Sequence, residues 1–150
     1  MKTAEELVKR KESKTFYVSP DTTIYNVVQI MIKNRIGAIL IKEGEKVTGI
    51  WTERDFLRNC ADDGFNLREE KIGDHMITNV HFAQYDESLY SLMDHFLGLR
   101  FRHIPILKDG ECIGILSSGD VMKAVMIEKD RELRELNAIV SWEYYENWKW

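Results

Sequence analysis

An internal repeat constrains this chain more than any other feature of its sequence. Shifting the sequence by 65 positions aligns residues 15–60 with residues 80–125 without a gap, and eight residues are identical. Five apolar residues recur with them at the 3–4 spacing of an amphipathic helix. They are Ile24, Val27, Val28, Met31 and Ile32 in the first stretch, and Leu89, Leu92, Met93, Phe96 and Leu97 in the second. The chain therefore contains two copies of one structural unit.

Each copy predicts the same order of elements: a short strand, the amphipathic helix, two strands joined by a tight turn, and a second helix. The turns are Glu43-Gly44-Glu45 and Asp109-Gly110, and Asp-Gly is a strong hairpin signal. The second helices begin at Thr52 and Ser117, whose hydroxyls can cap a helix N-terminus. Because a unit of 46 residues is small for independent folding, we expect each copy to need the other.

The segments that close the two hairpins resemble a known family signature. Residues 49–55 (Gly-Ile-Trp-Thr-Glu-Arg-Asp) and 114–120 (Gly-Ile-Leu-Ser-Ser-Gly-Asp) are similar to the Gly-(Ile/Val)-x-(Thr/Ser)-x-x-Asp pattern of cystathionine β-synthase (CBS) domains. Residues 102–106 (Arg-His-Ile-Pro-Ile) resemble a stretch common in second CBS repeats, and residues 71–77 resemble a segment that often begins one. The resemblance implies an α/β fold of two β-α-β-β-α repeats packed about a pseudo-twofold axis, a Bateman module with two clefts for adenosine-containing ligands.

We expect the chain to divide into five segments. They are an N-terminal helical leader (1–14), CBS repeat 1 (15–62), a linker (63–79), CBS repeat 2 (80–127), and a C-terminal helix with an aromatic tail (128–150). The leader is charged and has few apolar anchors, so we expect it to be solvated; a lid or a dimer contact is the alternative. The tail holds five aromatic residues within residues 142–150, which would cover either the chain's own core or a second copy.

The Thr/Ser-x-x-Asp spacing suits a nucleotide on physical grounds. A helix N-terminus presents unpaired N–H groups and partial positive charge, so Thr52 or Ser117 can help to hold a phosphate. Three residues further on, the carboxylate of Asp55 or Asp120 lies on the same helix face and can accept hydrogen bonds from both hydroxyls of a ribose. The alternative is that the hydroxyl only caps the helix and the carboxylate is a favourable first-turn charge.

The resemblance implies two nucleotide sites, which we assign by copy. The first site comprises Phe16, Ile36, Gly37, Ala38, Thr52, Arg54 and Asp55, and the second comprises His81, Phe101, Arg102, His103, Ser117 and Asp120. Aromatic and aliphatic members would face the adenine, and arginines would approach phosphates. Since Gly37 and Ala38 stand where the second copy has Arg102 and His103, we expect that copy to supply much of the positive charge for both clefts. A surface ion pair for Arg102 and a packing role for His103 are the alternatives.

Charge and composition argue against several other functions. The chain has 21 Lys and Arg against 25 Asp and Glu, a net charge of −4, so no general positive field would attract nucleic acid or anionic lipid. Its apolar runs are far shorter than the roughly 18 residues of a membrane span. Cys60 and Cys112 form no Cys-x-x-Cys pair and no secretory leader is evident, which predicts a reducing, cytoplasmic setting. The histidines and cysteines lack a metal-ligand spacing, and we identify neither catalytic nor metal residues.

We therefore expect a non-enzymatic regulatory protein that binds an adenine nucleotide, namely AMP, ADP, ATP or a dinucleotide such as NAD. It would form a homodimer and report its bound state to a regulated partner protein. The alternative is a ligand-free interaction module acting through its dimer surface and aromatic tail. A third hypothesis, single-stranded nucleic-acid binding through Arg100, Arg102 and nearby aromatics, predicts strongly salt-dependent binding.

Overall fold

The structure is a computed structural model that describes residues 2–12 and 14–140, with side chains as far as residue 137. The aromatic tail therefore lies outside the described residues. The helices are α1 (Ala4–Arg10), α2 (Ile24–Asn34), α3 (Glu53–Cys60), α4 (Leu89–Leu99) and α5 (Ser118–Val140), with a short 3-10 helix at Ile72–Asp74. The strands are β1 (Tyr17–Val18), β2 (Ala38–Glu43), β3 (Lys46–Thr52), β4 (Ala83–Gln84), β5 (His103–Lys108) and β6 (Glu111–Ser117).

Two three-stranded sheets confirm the predicted repeat. Their orders are β1-β2-β3 and β4-β5-β6, and in each the outer strand runs parallel to the middle strand while the hairpin is antiparallel. Leu40 pairs with Ile50, and Pro105 pairs with Ile115 at the equivalent position. The backbone register shifts once in each hairpin, after Ile41 and after Ile106. Each irregularity recurs 65 residues on, so the two copies share the fold strand by strand.

The predicted apolar stripes cover the sheets only in part. In α2 the buried residues are Ile24, Val27 and Met31, and in α4 they are Leu89, Leu92 and Phe96. The last member of each stripe points away from the core instead, since Ile32 and Leu97 are both 67% exposed. Each copy therefore leaves one apolar residue of its first long helix exposed.

Each copy's core is completed by the segment that precedes the other copy. Ala4 and Leu7 of α1 lie in the core of the second copy, and Ile72 of the linker lies in the core of the first. Short bridges repeat this crossing, because Thr3 pairs with Ser88 and Lys71 pairs with Thr23, the residue 65 positions before Ser88. The two copies therefore depend on each other for part of their cores.

The expectation that the leader is solvated is wrong. Its helix α1 begins with a reciprocal cap, in which Glu6 N–H donates to Thr3 Oγ1 and Thr3 N–H donates to Glu6. The next two backbone N–H groups, of Ala4 and Glu5, donate to carbonyls of the second copy at 2.9 Å. The sequence does not predict this contact because α1 buries only one narrow face, with Ala4 and Leu7, in a core that α4 and α5 also form.

The crossing segments pack closely against the signature glycines. A Cβ atom at Gly114 would lie 2.6 Å from Val8 Cγ1 of α1, and one at the equivalent Gly49 would collide with Met76 of the linker. Real Cβ atoms essentially never make such contacts. A side chain at Gly114 would therefore require Val8 to move, and one at Gly49 would require Met76 to move.

The C-terminal part of the described chain is one helix. The helix predicted after Ser117 and the helix predicted in the C-terminal segment from residue 128 are parts of the continuous α5. Among the residues that the structure describes, no helix is long and apolar enough to cross a membrane.

Candidate functional site

Two of the cavities that are lined by residues of both copies contain the Ser/Thr-x-x-Asp helix starts. We call them cavity A, with a volume of about 280 Å³, and cavity B, with about 430 Å³. Cavity A is lined by Lys11, Lys14, Thr15, Phe16, Asn34, Arg35, Ile36, Gly37, Ala38, Leu40, His103, Ile115, Ser117 and Asp120. Cavity B is lined by Gly37, Ile50, Thr52, Glu53, Arg54, Asp55, Arg58, Ile77, Asn79, His81, Leu99, Arg100, Phe101, Arg102 and His103.

The structure groups the candidate residues across the copies, whereas the sequence analysis grouped them by copy. Cavity A is lined by Phe16, Ile36, Gly37 and Ala38 of the first copy together with Ser117 and Asp120 of the second. Thr52, Arg54 and Asp55 share cavity B with His81, Phe101 and Arg102. The physical reason is that β3 and β6 contact each other, which brings the helix start of one copy over the opening strand of the other. Nothing in a periodic sequence distinguishes this crossed arrangement from pairing within a copy.

At cavity A, the start of α5 forms a closed cap. Asp120 N–H donates to Ser117 Oγ at 3.1 Å, and Ser117 N–H donates to Asp120 Oδ2 at 2.7 Å. Lys11 of the leader donates to the same Oδ2 at 2.8 Å and to the carbonyl of Ile115 at 3.2 Å. Burial alone would raise the pKa of the Asp120 carboxyl, but the Lys11 ammonium and Ser117 outweigh it and lower that pKa. Asp120 is therefore a carboxylate with a cation already beside it.

At cavity B, the equivalent carboxylate is held by its own helix. Asp55 Oδ2 accepts from both the N–H and the hydroxyl of Thr52 at 2.9 Å. Its side chain is 11% exposed, compared with 32% for Asp120. The capping role that the sequence analysis left open as an alternative is thus present in both copies, and a ribose would have to share these carboxylates with their caps.

The cations of the two cavities have different origins. Cavity A takes Lys11 and Lys14 from the leader and Arg35 from the end of α2. For this cavity, the expectation that the second copy supplies much of the positive charge is wrong. Lys11 and Lys14 were not predicted because they lie outside the repeat, and Arg35 was not assigned to a site although it aligns with Arg100.

Cavity B has four arginines, two from each copy. Arg54 and Arg58 lie on α3, while Arg100 and Arg102 lie just before β5. Arg35 and Arg100, at equivalent positions, both end a helix in the left-handed conformation, with φ of 53° and 57°. The repeat therefore places one arginine at the same point of each cavity.

His103 and Gly37 line both cavities. A Cβ atom at Gly37 would collide with Glu53 Oε1 and lie 3.3 Å from the His103 ring. Burial and then the charge of Lys11 lower the pKa of His103, which favours the neutral ring. Its Nδ1 is buried and has no hydrogen-bond partner among the described residues. Gly37 and the His103 ring therefore lie at the boundary between the two cavities.

An aromatic wall in cavity B is fixed by a chain of hydrogen bonds. His81 stacks on Phe101, with ring centroids 4.9 Å apart. His81 Nε2 lies 2.9 Å from His95 Nδ1, and His95 Nε2 lies 2.8 Å from Glu87 Oε2. His81 and Phe101 were predicted from the sequence as site residues, but His95 and Glu87 were not. Their chain of hydrogen bonds reaches His81 from α4 and from the loop before it, and no sequence spacing indicates that contact.

The fold and its cavities define a duplicated α/β module with two ligand-sized spaces between interdependent copies. The model of the family described as CBS domain matches residues 5–62 and 72–127. The chain belongs to the CBS-domain family and carries two CBS domains in tandem.

Similar proteins agree with this assignment. The Arabidopsis thaliana protein named CBS domain-containing protein CBSX3, mitochondrial, is 33% identical over 141 residues, which make up 91% of this chain and 68% of that relative. A crystal structure of a CBS domain has a TM-score of 0.79 at 32% identity, covering 84% of this chain and 99% of the other.

Two further solved structures share the fold and contain adenosine compounds. CBSX2, in complex with AMP, has a TM-score of 0.69 at 19% identity and covers 82% of this chain and 97% of its own. A CBS domain pair in complex with 5′-methylthioadenosine and S-adenosyl-L-methionine has a TM-score of 0.69 at 21% identity, covering 81% of this chain and 96% of its own.

Proposed function

We propose that this CBS pair is a non-enzymatic regulatory protein that binds an adenine nucleotide in one or both cavities. The observation that carries the proposal is that each cavity combines three parts from different copies. One copy contributes the Ser/Thr-x-x-Asp helix start, the other contributes an apolar wall, and cations line the same space. These parts suit a ribose, a base and phosphates, respectively.

The ligands of the two structural neighbours support an adenosine moiety, since both proteins hold one. The charge of the cavities favours its phosphorylated forms. Cavity A has three cationic side chains against one carboxylate, and cavity B has four arginines against two carboxylates. AMP, ADP, ATP and NAD all carry the negative charge that this excess would attract.

Thermal unfolding with a panel of ligands tests the proposal. A ligand that binds only the folded protein stabilises it by about 2.7 kcal/mol at a hundredfold excess over Kd, which corresponds to a rise in Tm of about 5–10 °C for a chain of this size. We expect such a rise with at least one of AMP, ADP, ATP and NAD, and a smaller one with GMP at the same concentration. Unchanged Tm with every adenine compound, in protein freed of ligand, would contradict the proposal.

The same proposal includes a homodimer. Besides Ile32 and Leu97, the neighbouring helices expose Leu57 and Met122, again 65 positions apart. We call the two pairs, Ile32 with Leu57 and Leu97 with Met122, the apolar strips. A second copy related by a twofold axis can cover both of these equivalent strips. Assembly through these strips would let a ligand-dependent shift between the copies reach the partner protomer, and from there a regulated protein.

Replacing Leu57 with Glu is expected to give a monomer, because the new charge would lie in the proposed apolar interface. Leu57 is exposed in the protomer, so its fold should be retained. Sedimentation velocity measures the state, with Gln84→Glu as a control that adds the same charge at an exposed site away from the strips. A wild-type protein that sediments as a monomer, or a Leu57→Glu variant that remains dimeric, would contradict the proposed interface.

The compartment is a further part of the proposal. Cys60 and Cys112 are both free thiols, which suits a reducing compartment, and we propose the cytoplasm. The Arabidopsis relative is named as mitochondrial, so fractionation of the source cells is the measurement that decides between the two.

A further inference from the structure

Lys11 forms an ion pair with the carboxylate of Asp120 in cavity A, the group that the proposed function assigns to ribose. Its backbone ends α1, where its N–H donates to the carbonyls of Leu7 and Val8. Because Leu7 is buried in the second copy and Val8 packs on Gly114, the end of the helix is held against the cavity. The side chain of Lys11 is only 24% exposed, whereas that of Lys9, two residues earlier, is 70% exposed.

The ammonium of Lys11 competes directly for Asp120. Oδ2 of Asp120 already accepts from Ser117 N–H, and Lys11 is the second donor to this oxygen, at 2.8 Å. A ribose that used both carboxylate oxygens would have to displace one of these donors. Ser117 N–H belongs to the backbone cap of α5, so the flexible lysine is the donor that can leave.

Among the described residues that line cavity B there is no such lysine. The residue 65 positions after Lys11 is Met76, whose side chain packs over Gly49. The charged partner of Asp55 is Arg58 of its own helix, with 3.8 Å between Nη1 and Oδ1. The fold can therefore be built without a cation from the preceding segment, and Lys11 is a property of cavity A alone.

Resting on the proposed function, we propose that Lys11 makes cavity A selective for phosphorylated adenosine compounds over neutral adenosine. A neutral nucleoside must break the Lys11–Asp120 ion pair without giving the ammonium a new partner. A nucleotide supplies phosphate oxygens to which Lys11 can move, joining Lys14 and Arg35 in the same lining. The leader thus serves as part of the binding site, in addition to its role in the core.

The test is the Lys11→Met variant, which keeps the length of the side chain and removes its charge. Affinity for adenosine should rise about two- to fivefold, the range for a partly exposed ion pair, because Asp120 is released. Affinity for ADP should fall about tenfold or more, because a charge-assisted bond to phosphate is lost. Calorimetry with adenosine and ADP, on an Asp55→Asn background that weakens cavity B, gives both values for cavity A.

Two controls separate charge from structure. Lys9→Met lies on the same helix, outside both linings, and should leave the two affinities unchanged. Lys11→Arg keeps the charge and should retain the preference for ADP. If Lys11→Met binds adenosine and ADP with the same ratio of affinities as the wild type, whether or not both affinities fall, the proposed selectivity is wrong. The proposed function is not affected by that result. If no adenosine compound binds the wild-type protein at either cavity, the proposed function itself fails, and the selectivity fails with it.

Discussion

Replacing Asp120 with Asn is expected to weaken nucleotide binding in cavity A by about 10- to 150-fold. The reason is that a hydrogen bond to a charged group contributes about 1.5–3 kcal/mol, and the amide removes the charge while keeping the shape. Isothermal titration calorimetry should show the loss in one of two classes of site. The equivalent Asp55→Asn change should act on the other class, because Asp55 lines cavity B.

A matched control for Asp120→Asn is Asp109→Asn. Asp109 lies in the exposed turn between β5 and β6 with φ of 51°, a conformation that Asn adopts readily, and it lines neither cavity. The substitution and the charge change are the same, so general electrostatics would affect both variants alike. Equal affinities for wild type and Asp120→Asn would mean that the carboxylate only caps α5.

Replacing Gly114 with Val is expected to lower the free energy of unfolding by about 1–3 kcal/mol. The new Cβ would lie 2.6 Å from Val8 Cγ1, and overpacking of this kind costs about 1–3 kcal/mol. If α1 moves away instead, Leu7 loses its burial, which is worth about 1.5–3 kcal/mol. Urea unfolding followed by circular dichroism measures the change.

The control for Gly114→Val should shift stability in the opposite direction. Gly98 lies within α4, and a Cβ atom there would meet no atom within 4 Å. Gly98→Ala should therefore raise the free energy of unfolding by about 0.5–1 kcal/mol, since Ala favours a helix over Gly. A Gly114→Val protein as stable as the wild type would contradict the close approach of α1 to β6.

Local patterns predicted most of the fold. The stripes from Ile24 and from Leu89 became α2 and α4, and the Asp109-Gly110 pair became a hairpin turn in which both residues have positive φ. These features depend on residues a few positions apart, so they can be predicted from the sequence alone. The exposed ends of the stripes, Ile32 and Leu97, were not distinguishable, because periodicity shows a face but not how much of it another element covers.

The sites were predictable as residues but not as assemblies. The two helix starts were predicted because a capped helix start has a recognisable spacing. They are Thr52 with Asp55 and Ser117 with Asp120. Which wall and which cations lie opposite each of them depends on contacts across the two copies. Lys11 shows this most clearly, since it meets Asp120 across 109 positions of sequence and nothing in its local sequence marks it.

The sequence by itself determined that the chain is a duplicated α/β unit with the signature of CBS domains, because repetition, helical periodicity, turns and caps are all short-range. Only the tertiary structure decided how the halves are combined: α1 in the core of the second copy, Ile72 in the core of the first, and each cavity built from both. The physical reason is that neither copy covers its own sheet completely. The helices of each copy form most of its core, and a segment that is distant in sequence completes it. The same crossing brings the lysines of a charged leader beside a carboxylate of the second copy.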